Sequence, residues 1–148
     1  MPKLNLDEIP QTNATGYPPE YADKVAGRWY RKLGPASGLT DFGASHVTLK
    51  PGAWSSQRHW HEGEDEMLIM IAGEAVLVDD SGETIIGAGD VAAFPKNDGN
   101  GHVLINRSDA DCVFVALGRL AISPCHYPDI DMIKPAGAGF KRKNGDDF

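Results

Sequence analysis

Between residues 44 and 123 the chain consists of short apolar or alternating runs, each closed by a turn signal. The runs lie near 45–50, 54–61, 66–72, 74–79, 83–86, 90–94, 101–106 and 111–121. The signals include Pro51-Gly52, Gly73, Ser81-Gly82, Gly87-Ala88-Gly89 and Asp98-Gly99-Asn100-Gly101. About eight short strands at this spacing predict an all-β sandwich or barrel. The 17 glycines and 10 prolines among 148 residues agree, since they supply turns and interrupt helices. Met67 to Ala72 and Val113 to Leu117 are apolar on both faces, which predicts strands with a packed interior and a covered exterior.

The flanks differ from this middle. Residues 1–43 hold five prolines and five glycines with no sustained period, and read as an N-terminal arm. A helical turn or two over 19–26 and a strand over 28–33 are expected within it. Its Tyr17, Tyr21, Trp29 and Tyr30 predict an arm packed on its own barrel or on a partner. Residues 44–123 form the barrel and 124–148 a turn-rich C-terminal tail, with an edge strand over 140–143.

The formal charge of −7 gives no electrostatic footprint for nucleic acid or an anionic membrane. No run approaches the ~18 apolar residues of a membrane span, and the first residues lack the shape of a signal peptide. Two cysteines, Cys112 and Cys125, without framework spacing read as buried reduced thiols. The expectation is a soluble cytoplasmic protein. The aromatic arm and the two-sided apolar strands further predict a homodimer.

Chemistry concentrates in the run from Trp54 to His61. Alternation in a strand puts Gln57, His59 and His61 on one face and Trp54, Arg58 and Trp60 on the other. Four turn residues, Glu62-Gly63-Glu64-Asp65, then lead to Glu66. A four-residue hairpin would set His61 opposite Glu66 with Cβ atoms ~5 Å apart, His59 opposite Leu68, and Gln57 opposite Met70. Two imidazoles and a carboxylate on one face are a facial ligand set for a divalent metal: Fe, Mn, Ni, Zn or Cu. His102, opening a later strand, is a further candidate ligand. Gln57, Leu68, Met70 and Asn106 are candidate pocket residues. Glu62, Glu64 and Asp65 read as a solvated turn, and His46, His126 and Tyr127 as polar-face or turn residues.

Gly52 followed by His59-x-His61-x4-Glu66-x6-Gly73 resembles the first signature of the cupin superfamily. Gly89-x5-Pro95, with Gly99-x2-His102-x3-Asn106, is similar to the second, with three residues between Pro95 and Gly99 where one is usual. The resemblance implies a cupin-type double-stranded β-helix, a jelly-roll barrel. It also implies that His59, His61, Glu66 and His102 bind one divalent metal inside it. The arm and the segment His126-Tyr127-Pro128-Asp129 resemble small bacterial cupins labelled sugar-phosphate isomerases. A small oxygen-rich ligand, such as a sugar, sugar phosphate or keto or hydroxy acid, is thus expected to undergo isomerase- or lyase-type chemistry. A non-catalytic sensor or carrier and an iron-dependent dioxygenase are the alternatives. The catalytic residues are unassigned by the sequence.

Overall fold

The computed structural model describes residues 2–148. Its strands are β1 (Arg28–Lys32), β2 (Gly43–Leu49), β3 (Trp60–His61), β4 (Glu66–Ala72), β5 (Glu74–Asp79), β6 (Gly82–Gly87), β7 (Val91–Phe94), β8 (Val103–Ile105), β9 (Cys112–Gly118), β10 (Cys125–Tyr127) and β11 (Met132–Lys134). Two short helices, α1 (Pro19–Ala22) and α2 (Leu33–Ser37), lie before β2. Proline fits the first turn of α1, where its missing N–H has no intrahelical acceptor.

The strands form three antiparallel sheets, ordered β1-β2-β9-β4-β7, β6-β5-β8 and β11-β10-β3. The first two face each other. Alternate residues of β2 (Val47, Leu49), β4 (Leu68, Met70) and β9 (Cys112, Phe114) meet Ala75, Ile86 and Leu104 from the opposite sheet. Leu49, Met70 and Leu104 are at most 1% exposed, and each contributes about 1.5–3 kcal/mol by leaving water. Among the described residues no helix is long and apolar enough to cross a membrane.

β1 adds the arm's strand to the sheet edge, with Arg28 opposite Leu49 and Tyr30 opposite Val47. The residues before it pack on the tail. Tyr17 and Tyr21 join Tyr127, Met132 and Phe140 in a second apolar cluster, with the Tyr17 and Tyr127 rings edge-on at 5.9 Å.

Three local expectations are corrected. The run 54–61 is not one strand: only Trp60–His61 is, with single bridges at Trp54–Ile105 and His59–His102. Its backbone groups are taken by other partners. Trp54 N donates to the Lys24 carbonyl, and the Ser55 carbonyl accepts from Arg28. The Ser55 hydroxyl accepts from Leu104 N, so side chain and backbone compete with a ladder. The tail holds two strands, β10 and β11, too short and too flanked by prolines to show a period. The edge strand over 140–143 reduces to one bridge between Lys141 and Ile133.

Candidate metal centre and cavity

His61 and Glu66 do not face each other across a hairpin. β3 pairs with β10, placing His61 opposite Cys125, while Glu66 opens β4 and pairs with Phe94 of β7. The side chains nonetheless converge. Glu66 Oε2 lies 2.8 Å from His102 Nε2 and 3.5 Å from His59 Nε2, and its Oε1 lies 3.2 Å from His61 Nε2. Ligand atoms of His59, Glu66 and His102 lie within 4.8 Å of one another. Donors about 2.1 Å from a shared ion would stand roughly 3.0–3.4 Å apart, so this donor set fits a divalent metal.

His59 is held from behind. His59 exchanges backbone hydrogen bonds with His102, His59 N to His102 O at 3.2 Å and the reverse at 2.9 Å. His59 Nδ1 lies 2.9 Å from the Gln57 carbonyl, which can only accept. Nδ1 therefore donates to that carbonyl, which leaves Nε2 turned toward Glu66. His102 is 7% exposed and stacks on Phe94. His61 Nδ1 lies 3.8 Å from Glu64.

The charges are interdependent. Burial works to raise the Glu66 carboxyl, but hydrogen bonds from His102, His59 and His61 outweigh it and hold it well below the usual range. Burial also works to lower His61. Hydrogen bonds with Cys125 and Glu66 overcome it and raise His61 to about 10. His102 is lowered, chiefly by burial.

Next to the ligands is a cavity of about 360 Å³. His59, Glu66 and His102 form part of its wall, and Leu68, Phe94 and Phe114 part of its apolar lining. Its other polar contributors include Tyr17, Arg28, Tyr30, Ser45, Ser55 and Ser56. Of the pocket candidates, only Leu68 lines it. Gln57 is buried away from it, donating through Nε2 to the Tyr21 carbonyl at 2.9 Å, because the chain at 54–59 is not a strand facing Met70. Met70 is core. Asn106 is fully buried and ties a turn: Nδ2 donates to Leu49 O and Ala110 O, and Oδ1 accepts from Ser108.

Other residues depart from their sequence reading. Glu64 is not a solvated turn residue: it is 2% exposed, and its carboxylate accepts from Ile122 N, Ser123 N and the Ser123 hydroxyl. Trp60 stacks on His126 of the tail, centroids 4.3 Å apart. His46, by contrast, keeps to the face opposite the cavity-lining Ser45 and Val47, as its polar-face reading has it. Cys125 was read only as a buried thiol. Its sulfur lies within 4.8 Å of ligand atoms of His59 and His61, a placement that depends on the β3–β10 pairing. Arg28 and Tyr30 also escaped the sequence reading, although the alternation Arg28-Trp29-Tyr30 already puts both on one face of a strand.

Residues 45–118 match the family model described as Cupin domain. The crystal structure of a sugar phosphate isomerase from a cupin superfamily, from Silicibacter pomeroyi, is similar at 42% identity, covering 99% of this chain and 96% of that one, with a TM-score of 0.93. A predicted oxalate decarboxylase from Thermotoga maritima is 28% identical over 64% of this chain and 81% of that chain, TM-score 0.55. The polyketide cyclase RemF of Streptomyces resistomycificus shares the fold at 18% identity, over 88% of this chain and 87% of that chain, TM-score 0.71. Among curated proteins none matches.

Proposed function

The chain belongs to the cupin family, and from that premise we propose that it is a metal-dependent isomerase of a small hydroxy-carbonyl metabolite of the sugar-phosphate type. The observation that carries this reading is the convergence of three imidazole Nε2 atoms on the Glu66 carboxylate at the wall of a cavity. The likeness to the sugar phosphate isomerase from Silicibacter pomeroyi supports the substrate class.

His59, His61, Glu66 and His102 would hold one divalent ion. Such an ion supplies Lewis acidity to adjacent substrate oxygens and so lowers the cost of an enediolate-like transition state. The protein's own groups do the rest. Leu68, Phe94 and Phe114 exclude water from the bound ligand. Burial raises the Tyr17 phenol above its ordinary value, so it keeps its proton at neutral pH. Tyr17 therefore serves as a hydrogen-bond donor to a substrate oxygen, not as a base.

A specific observation favours a second reading. The carboxylates and imidazoles lining the cavity, among the described residues, are His59, Glu66 and His102, all in the proposed ligand set. With no independent base, a non-catalytic small-molecule carrier or sensor is the alternative.

Elemental analysis of purified wild type and His59→Ala, paired with an aldose–ketose phosphate panel, separates the readings. The isomerase reading expects one metal per wild-type chain, a strong loss in the variant, and metal-dependent interconversion of a panel member. Equal metal content in both proteins would refute the centre. Saturable binding of a panel compound without conversion would move the assignment to the carrier.

A further inference from the structure

The cavity holds a cation that the metal-centre chemistry leaves unused. Arg28 sits on β1, facing inward with Tyr30. Its Nη1 donates to the Ser55 carbonyl at 2.9 Å, and its guanidinium lies over the Tyr30 ring, 5.3 Å from the centroid. Its Nε is buried and has no acceptor. Among the described residues Arg28 makes no ion pair; Arg31 and Arg119 also make none, but neither lines the cavity. Glu66 is the one carboxylate lining the cavity among those residues, and three histidines already engage it.

An uncompensated guanidinium facing a partly apolar cavity is costly, and a buried donor without an acceptor adds to that cost. A ligand that supplies the missing charge and acceptor removes both. We propose that Arg28 is the oxyanion-binding residue of this cavity, taking a phosphate or carboxylate group of the ligand whose other oxygens face the histidines. This rests on reading the cavity as the substrate site.

The chemistry follows from the residue type. A planar guanidinium offers parallel N–H donors that match two oxygens of one anion, and it stays charged at every physiological pH. One N–H direction is already spent on Ser55, which fixes the fork's orientation. Stacking on Tyr30 limits its rotation, and Tyr30 is itself anchored by its hydroxyl donating to the Ala14 carbonyl at 2.9 Å. The binding residue is therefore preorganised by the segment before β2, outside the part of the chain that carries the metal ligands. Bound metal would add further positive charge, so the loaded cavity favours anions over neutral analogues.

The test titrates metal-loaded protein with inorganic phosphate, with acetate and with glycerol as a neutral control. Calorimetry gives the affinity, and the Arg28 Nε–H resonance reports contact directly in the unmodified protein. We expect that resonance to move on saturation with phosphate or acetate and not with glycerol. Arg28→Met should weaken anion binding at least tenfold at unchanged metal content, and Arg28→Lys should restore part of it. Tighter phosphate binding assigns a phosphate ester, and tighter acetate binding a carboxylate. An unmoved resonance, or an Arg28→Met affinity within twofold of wild type, overturns the proposal. Arg28-dependent anion binding in a protein that turns over no substrate would refute the isomerase reading alone. Turnover of a sugar phosphate that is indifferent to Arg28→Met would refute this inference alone.

Discussion

The imidazole of His102 lies flat on the ring of Phe94, with centroids 3.7 Å apart and planes 6° from parallel. Phe94 also pairs in register with Glu66. One aromatic side chain thus backs two proposed ligands without offering a donor. Phe94→Ala should weaken metal affinity about tenfold, the low end for groups that orient ligands. Competition dialysis against a chelator measures it, and an unchanged affinity would show that the stack orients nothing.

Metal should stabilise the fold by mass action. At a free concentration a hundredfold above Kd the gain is about 2.7 kcal/mol, or roughly 5–10 °C in a chain of this size. Differential scanning fluorimetry before and after chelation reads the shift. Glu66→Ala and His59→Ala should lose it.

Glu64 binds the segment 122–123 from a position almost closed to water. Glu64→Ala strands two backbone N–H groups and a hydroxyl, and should cost roughly 2–4 kcal/mol. Urea unfolding of the variant decides the point, and a loss under 1 kcal/mol would contradict the burial seen here.

Arg58 clasps Asp129 with two hydrogen bonds of 2.8 Å and also reaches Asp80 and the Gly101 carbonyl. The Arg58 hydrogen bond holds the Asp129 carboxyl below its ordinary value of 3.8. A depressed carboxyl contributes stability above its unfolded value and loses it as pH falls through the folded one. Asp129→Asn should therefore be less stable than wild type near neutral pH. The difference is about 1 kcal/mol or less, because the carboxylate is largely exposed. It should shrink as pH falls below 3.8 and through the lower folded value. Denaturation curves at several pH values test this, and a gap that widens in acid would reverse the assignment.

Gly73 turns β4 into β5 at φ +73°, and a Cβ there would sit 2.5 Å from the Asp111 carbonyl oxygen. Gly73→Ala combines left-handed strain with a backbone clash and should cost several kcal/mol, on the order of 2–4. By contrast Gly52→Ala, at φ +82° with open space around it, should cost only the strain of about 1 kcal/mol. Equal losses in the two variants would remove the clash from the account.

Most of the barrel was legible because its strands alternate and its turns are marked. Leu68, Met70 and Phe114 fall where period two puts them, and the spacing of His59, His61 and Glu66 identified the cluster although the hairpin geometry behind it was wrong. The two histidines share a side, but they reach Glu66 through pairings with His102 and Cys125, and sequence distance carries no trace of those. Gln57 was misplaced for the same reason: Ser55 and Ser56 draw the chain out of strand geometry. Glu64 looked like a turn residue because its acceptors' partners lie nearly sixty positions away. Arg28 lay in a segment without a sustained period, and only its pairing with Leu49 turns it inward.

His61 lies on a two-residue strand whose ladder partner is Cys125, near the other end of the chain. A nascent chain leaves the ribosome N-terminus first. The segments bearing His59, Glu66 and His102 emerge well before the strand that seats His61. The four-residue centre therefore closes only after residue 125 has emerged, and a product released before it would carry all four side chains without the ladder that aligns one of them.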